Sequence, residues 1–276
     1  MNMRQFLISA LLSVSMDLAL VSQGGEPAFS AKDRLSALFI CPPHGYNGEA
    51  AAECTLLESL SNVRFTAVQV PHGAGDQVSD VDAHFGADDR WIALRKAEVL
   101  RQLERPYDAV ILAADVTDAE IQQALVAHVT RGGVLIWLLG DKAPDWLAVV
   151  LKPGEGASTP APAISPLAGL GLEWAGMKLG GKMFTNGLAV VHALPGGTAP
   201  TPLAAYATVG RGRVLSIASS NGSLFPASFA AGIDGDWLWS QAFERLVRFA
   251  AHGTVSPAVT VEVAPAEPNA ADVVEG

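Results

Sequence analysis

The sequence predicts an α/β fold with a doubly wound, mostly parallel sheet that carries helices on both faces. Nearly unbroken apolar runs of strand length recur along the chain, beginning with LSALFIC at residues 35–41, and such runs are typical of strands covered on both faces. Stretches with helical spacing alternate with these runs, which indicates right-handed crossovers between parallel strands. The chain has 276 residues, of which 50% are hydrophobic and 17% charged, so it can bury one sizeable core.

The first half of the chain supplies the parallel strands and the helices between them. Asn47 can cap the first helix, and Pro106 stops the second. Thr117 and Glu120 can form a capping box for the third helix, which Gly132 ends. The predicted strands are residues 35–41, 64–70, 107–113 and 134–139, and the predicted helices are residues 48–61, 91–104 and 117–131.

The second half of the chain predicts antiparallel strands and one long helix. The tight Gly210-Arg211-Gly212 turn favours antiparallel pairing of the strands on either side of it. Gly253 marks the end of the last helix. The predicted segments are a hairpin region at residues 172–194, strands at residues 203–209 and 213–218, and a helix at residues 236–251.

Two segments show neither helical nor strand periodicity. Residues 71–90, rich in glycine and aspartate, predict a long loop, and residues 152–166, rich in proline, glycine and alanine, predict a flexible one. The aspartates and histidines of the first loop are possible ligands for a divalent metal, but their spacing matches no EF-hand and the chain has no H-E-x-x-H helix. A solvated acidic loop is favoured, and we predict no metal site and no cofactor.

The N-terminus has the features of a secretory signal. Arg4 precedes an apolar run at residues 6–16, which has the length of a signal-peptide core and is too short to span a bilayer. We therefore predict a signal peptide and short linker at residues 1–30 and a periplasmic or secreted protein; the alternative is a cytosolic chain with an apolar N-terminus. The domain then covers residues 31–254, and residues 255–276 form a disordered acidic tail. No later stretch predicts a membrane span in the mature chain.

The charge balance and the cysteine count narrow the classes of partner and site. A formal net charge of −10 and a pI near 5.0 exclude nucleic acid as the expected partner, since no basic stripe is present to displace its counterions. Cys41 and Cys54 can form a disulfide if the chain is exported, or can be two buried thiols. His128 and His192 are predicted to be structural.

Candidate functional residues follow the carboxyl ends of the predicted strands, where ligands bind in open α/β sheets. His44, Tyr46 and Asn47 follow the first strand, while Asp115 and Asp141 follow the third and fourth. The two carboxylates can face one crevice and share a proton or bind a cation. The alternative is structural, with Asp115 at a helix cap and Asp141 in a turn.

Further candidates lie at the last strand and the last helix. Trp237 and Trp239 begin the predicted helix and can line a groove for a sugar or a peptide, or pack against the sheet edge. Ser216 and Ser219 lie on or just beyond a predicted strand, but without a G-x-S-x-G elbow they are weak candidates for a nucleophile.

Three stretches of the chain carry a family resemblance. They are YDAVILAADVTDAEIQQALVAHVTRGGVLIWLLG at residues 107–140, PLAAYATVGRGRVLSIASSNG at residues 202–222 and DWLWSQAFERLVRFAAHG at residues 236–253. Together they resemble the class I glutamine amidotransferase-like superfamily, in the branch that includes trehalose-utilisation-type proteins and non-catalytic domains of bacterial envelope proteins. The resemblance implies a flavodoxin-like sheet with antiparallel C-terminal strands.

The same resemblance implies a catalytic centre that this chain lacks. Amidotransferases of the superfamily use a cysteine on a sharp strand-to-helix elbow, activated by a histidine and an acid. This chain has no G-x-C-x-G stretch, Cys54 falls within a predicted helix, and Cys41 precedes two prolines. Trehalose-utilisation-type relatives carry a histidine and an aromatic residue near the position of His44, and a further histidine where this chain has Gly140-Asp141. The resemblance therefore implies a scaffold without its nucleophile.

Two functions follow from these observations. The first is an exported, non-catalytic binding or assembly module of the cell envelope, whose partner is an envelope protein or a carbohydrate. The second is a carbohydrate-active hydrolase or isomerase that uses His44 with Asp115 or Asp141, with or without a metal. A cytosolic protein of another role is the remaining alternative.

Overall fold

The computed structural model describes residues 34–42, 49–71, 89–151, 162–170, 181–194, 200–219, 222–225 and 233–253. Apart from Arg34, these residues belong to the unit that begins at Leu35. The predicted signal peptide with its linker and the predicted acidic tail lie outside the described residues, as does most of each of the two predicted loops.

The described residues form a mixed α/β fold, as the sequence predicts. The strands are β1 (Leu35–Cys41), β2 (Val63–Gln69), β3 (Ala109–Leu112), β4 (Val134–Trp137), β5 (Ala189–Leu194), β6 (Thr201–Val209) and β7 (Gly212–Ile217). The helices are α1 (Glu49–Leu60), α2 (Asp89–Leu103), α3 (Ala119–Thr130), α4 (Asp145–Val150) and α5 (Ile233–His252). The short helix α4 is absent from the prediction, because one and a half turns after a proline show no periodicity that could be recognised in the sequence.

The strands form one seven-stranded sheet in the order β2-β1-β3-β4-β7-β6-β5. Strands β2, β1, β3, β4 and β7 pair in parallel, while β6 runs antiparallel to both β7 and β5. The mostly parallel sheet and the antiparallel C-terminal strands are therefore confirmed. Gly210 has a φ of +60° in the two-residue connection between β6 and β7, which is the backbone conformation that the predicted tight turn needs.

The core lies in two layers, one on each face of the sheet. Phe39 of β1 packs into the layer under α1 and α5, together with Phe243 of α5. Leu38 and Ile40 point to the opposite layer, under α2, α3 and α4. Strands β3 and β4 are buried along their whole length, so both sets of alternating side chains are apolar. This burial on both faces explains the unbroken apolar runs in the sequence.

The N-cap of α3 is Asp118 rather than Thr117. The Asp118 carboxylate accepts hydrogen bonds from the backbone N–H groups of Glu120 and Ile121 at 2.9 and 3.2 Å. Lys96 of α2 lies 3.0 Å from the same carboxylate, and it also contacts Glu120 at 2.8 Å. The predicted capping box is therefore wrong: an aspartate one residue further along caps the helix and also ties it to α2. Asp115 is not the cap.

No helix among the described residues has both the length and the apolar character that crossing a bilayer requires.

Candidate ligand-binding crevice

An open crevice of about 910 Å³ lies at the carboxyl edge of the parallel strands. Its lining comes from residues that follow β1, β3, β4 and β7, from the connection between β4 and α4, and from a short segment that precedes β5. This is the edge at which the sequence places its candidate residues.

Asp115 and Asp141 both line this crevice, so the two predicted carboxylates share one site. Both side chains are exposed. Asp141 follows Gly140, whose φ of +83° turns the chain at the end of β4. The Asp141 carboxylate lies 3.5 Å from the ammonium of Lys182, and the two side chains are 62% and 79% exposed. An ion pair so open to solvent contributes little stability, and both groups are accessible to a ligand.

Lys182 is a crevice residue that sequence reasoning missed. The segment around it is held by two isolated bridges, a parallel one between Gly140 and Met183 and an antiparallel one between Lys182 and Ser219. These bridges place the lysine beside the ends of β4 and β7. Each joins residues far apart in the chain and involves a single pair, so no local pattern in the sequence indicates it. Lys142 and Asp145, in the connection before α4, also line the crevice.

The remaining predicted site residues have different positions. His44, Tyr46 and Asn47 lie outside the described residues. Trp237, which is 53% exposed on α5, is not among the residues that line the crevice. Trp239 is only 1% exposed, and its Nε1–H donates a hydrogen bond to the carbonyl oxygen of Leu224 at 2.7 Å.

The assignment of Trp239 to a ligand site is therefore wrong. Its ring packs against that of Phe243, with the centroids 6.0 Å apart, and it belongs to the buried stripe of α5. The signal was present in the sequence, because Trp239 lies one helical turn before Phe243 and shares its face.

Neither cysteine has the surroundings of a nucleophile. Cys41 and Cys54 are buried free thiols, so the structure has the second of the two alternatives that the sequence leaves open. Burial raises the pKa of Cys41 to about 11 and that of Cys54 to about 12. The Cys41 thiol donates to the carbonyl oxygen of Val68 at 3.2 Å. Both groups therefore stay protonated near neutral pH, and the thiolate that attacks a carbonyl is scarcely populated.

His128 and His192 are half-buried, and each contacts another group through one ring nitrogen, while His192 Nε2 has no partner among the described residues. His128 Nε2 lies 3.3 Å from the carbonyl oxygen of Val134, and His192 Nδ1 lies 2.7 Å from Ser165 Oγ. Burial lowers the pKa of both imidazoles. Within the described part of the chain, no group of three or more His, Cys, Asp or Glu side chains is arranged to hold a metal ion.

The fold and the crevice define an α/β protein with an open crevice, lined in part by charged side chains, at the carboxyl edge of its sheet. No family model matches the chain, and no curated protein matches it. Among solved structures it is similar to exo-beta-1,4-mannosidase Op5Man5 from Opitutaceae bacterium strain TAV5, with 16% sequence identity and a TM-score of 0.41. The match covers 78% of this chain and 36% of the mannosidase chain. The chain thus spans little more than a third of that protein, and so low a TM-score carries no argument about function.

Proposed function

We propose that this protein is a non-catalytic binding module that holds a small, uncharged, polyhydroxylated ligand in the carboxyl-edge crevice. One observation carries the proposal: carboxylates and ammonium groups from separate connections of the sheet converge on this crevice, while both thiols are buried and protonated. Polar side chains that meet at a strand-end crevice are typical of a ligand site.

The charges of the lining favour an uncharged ligand rich in hydroxyl groups. The carboxylates of Asp115, Asp141 and Asp145 accept hydrogen bonds, whereas the ammonium groups of Lys142 and Lys182 donate them. A hydroxyl group does both, so a ring that carries several hydroxyls can satisfy each side of the crevice. The lining has one more negative than positive charge, which disfavours phosphate and other anions.

We also propose that the module is exported and that its sheet has a flavodoxin-like architecture. The signal-like start, with Arg4 before the apolar run at residues 6–16, supports an exported module of the cell envelope. The strand order β2-β1-β3-β4-β7 follows the 2-1-3-4-5 arrangement of flavodoxin-like sheets, and it supports the flavodoxin-like, class I amidotransferase-like architecture. In an envelope setting, the ligand is a carbohydrate or the glycan of an envelope partner.

A second function is favoured by a different observation, namely that Asp115 and Asp141 line the same crevice. Two carboxylates that line one crevice are the kind of groups that glycoside hydrolysis uses, one as acid and one as base or nucleophile. We therefore keep a carbohydrate-active hydrolase or isomerase, using His44 with Asp115 or Asp141, as the alternative.

Calorimetric titration of the full chain with D-glucose, D-mannose, D-galactose and short glycans made from them distinguishes the two functions. We expect binding without the appearance of products in a chromatographic assay. Asp141→Asn should weaken binding about tenfold, since it replaces a charged acceptor by a neutral amide. Glu104→Gln is the matched control, because Glu104 lies at the opposite edge of the sheet. Products that depend on Asp115 and Asp141 would establish the hydrolase or isomerase, and the absence of binding would overturn both functions.

A further inference from the structure

Trp137, the last residue of β4, places a buried hydrogen-bond donor at the crevice. Its side chain lines the crevice but is only 2% exposed. The ring is held edge-on between Trp146 and Phe184, with centroids 6.1 Å away in both cases. Within the described residues, its Nε1–H has no hydrogen-bond partner. A buried N–H without a partner destabilises the folded chain, and in a native structure it indicates a missing water or ligand.

Ser216, on the neighbouring strand β7, carries a second such group, although it lies behind the crevice and is not among the residues that line it. Its hydroxyl oxygen is buried and lacks a partner among the described residues, and the residue is 0% exposed. Ser216 pairs with Trp137 in the register of β4 and β7, so the two side chains emerge from the same face of the sheet on neighbouring strands.

Three other buried polar side chains near this end of the sheet are satisfied, whereas His192 Nε2 on β5 is a further buried atom without a partner among the described residues. The Ser219 hydroxyl donates to the Ser223 carbonyl oxygen at 2.6 Å. The indole N–H of Trp239 has its carbonyl partner, and the Ser240 hydroxyl donates to the Asp236 carbonyl oxygen at 2.7 Å. The contrast is sharpest between the two indoles: both are buried, and the unpartnered one lines the crevice.

We infer that Trp137 is a specificity-determining residue whose indole N–H donates to a ligand hydroxyl oxygen at the floor of the crevice, with Ser216 beside it. This inference rests on the proposed function. An indole N–H can only donate, whereas a serine hydroxyl can donate and accept. A ligand hydroxyl fits both, because it can accept from Trp137 while bonding with Ser216. At the rim, the carboxylates and ammonium groups can bond further hydroxyls on the same ligand.

Titration of the full chain labelled with 15N at its tryptophan indoles tests this inference. The probes are D-glucose, D-mannose and D-galactose, and the Trp137 cross-peak is identified by its loss in Trp137→Phe. We expect that cross-peak to move downfield in the proton dimension as the sugar binds, because the N–H gains an acceptor. Trp137→Phe keeps an aromatic ring between Trp146 and Phe184, and it should weaken binding about tenfold.

Two further variants separate a role in binding from a role in folding. Trp237→Phe removes an exposed indole and should bind as the natural chain does. Ser216→Ala should weaken binding while leaving the melting temperature unchanged or higher, because it removes a buried hydroxyl that has no partner in the free protein. A lower melting temperature would mean that Ser216 already bonds within the free protein, and would overturn its part in the inference.

The failures of the inference and of the proposed function are distinguishable. If a sugar binds and Asp141→Asn weakens it, while the Trp137 cross-peak stays in place and Trp137→Phe binds normally, the inference is overturned and the proposed function stands. If no sugar binds at all, both are overturned.

Discussion

The two edges of the parallel sheet use polar side chains in opposite ways. At the amino edge, the Asp108 carboxylate accepts hydrogen bonds from the backbone N–H and the hydroxyl of Ser36, at 2.7 and 2.9 Å. Near it, the Tyr107 hydroxyl donates to Gln102 Oε1 at 2.6 Å. A smaller cavity of about 380 Å³ opens there, but these groups on and near its lining already have partners.

At the carboxyl edge, polar groups remain accessible to other molecules. Asp115, Asp141 and Lys182 are exposed around the crevice, and the Trp137 N–H has no hydrogen-bond partner in the described structure. The comparison shows that polar side chains at the amino edge hold the strands together, whereas those at the carboxyl edge are exposed to solvent.

Gly212→Ala, at the amino edge of the sheet, should cause the largest loss of stability. A Cβ at Gly212 would overlap the backbone carbonyl oxygen of Val129, which cannot move without shifting α3. We expect the free energy of unfolding to fall by about 3 kcal/mol in urea denaturation. Gly210→Ala is the control: a Cβ there meets nothing within 4 Å, so only its φ of +60° costs about 1 kcal/mol. Equal losses in the two variants would contradict the steric explanation.

The next largest expected effect is the slow alkylation of the two cysteines in the folded protein. With pKa values near 11 and 12, the thiolate populations are lower by about a hundredfold or more than in an unfolded chain, since each pKa unit is a factor of ten. Alkylation by iodoacetamide at pH 8, followed by mass spectrometry, should be correspondingly slow in the folded protein. In denaturant, both Cys41 and Cys54 should react quickly. Rapid alkylation of folded Cys41 would reveal a reactive thiol at the carboxyl edge and would weaken the case for a non-catalytic module.

Carboxylate variants compare the two edges directly. Asp108→Ala removes the acceptor of two hydrogen bonds from Ser36 and should lower the free energy of unfolding by about 2 kcal/mol. Asp115→Ala and Asp141→Ala should each change it by less than about 0.5 kcal/mol, because both side chains are exposed. Chemical denaturation of the three variants is the measurement. A large loss for Asp115→Ala or Asp141→Ala would show that the carboxyl edge is also structural.

The smallest expected effect is the pH dependence that comes from His128 at the amino edge. Burial lowers the pKa of this imidazole below its ordinary value of 6.5, so the unfolded chain takes up the proton more readily. The stability that the neutral form provides is fully present above pH 6.5 and is lost as the pH falls through the lowered pKa. His128→Gln should make the melting temperature less dependent on pH below 6.5, although buried His192 retains part of the slope. An identical pH profile in the variant would exclude this contribution.

The sequence predicts the central strands and the location of the crevice for clear physical reasons. Strands β1, β3 and β4 are buried on both faces, and this leaves an unbroken apolar run that can be recognised without a structure. Asp115 and Asp141 could be expected to meet because parallel strands deliver their carboxyl ends to one edge.

The rest of the site depends on contacts that no local pattern encodes. Lys182 reaches the crevice through single bridges between distant segments, and the orphaned N–H of Trp137 can be recognised only when its surroundings are known. The prediction of a capping box is wrong because a second possible cap, Asp118, directly follows Thr117. The Asp118 carboxylate caps the helix and also contacts Lys96.

Because of the bridges around Lys182, a ligand that binds in the crevice should stabilise the whole domain. They fasten a remote segment to the ends of β4 and β7, so that wall of the crevice is assembled only while these distant parts of the chain hold together. Any molecule that occupies the completed crevice therefore shifts the equilibrium away from the unfolded chain, by an amount that grows with the logarithm of its concentration. When a library of soluble metabolites is screened one compound at a time, a compound that raises the melting temperature is identified as a ligand without any assumption about its chemistry.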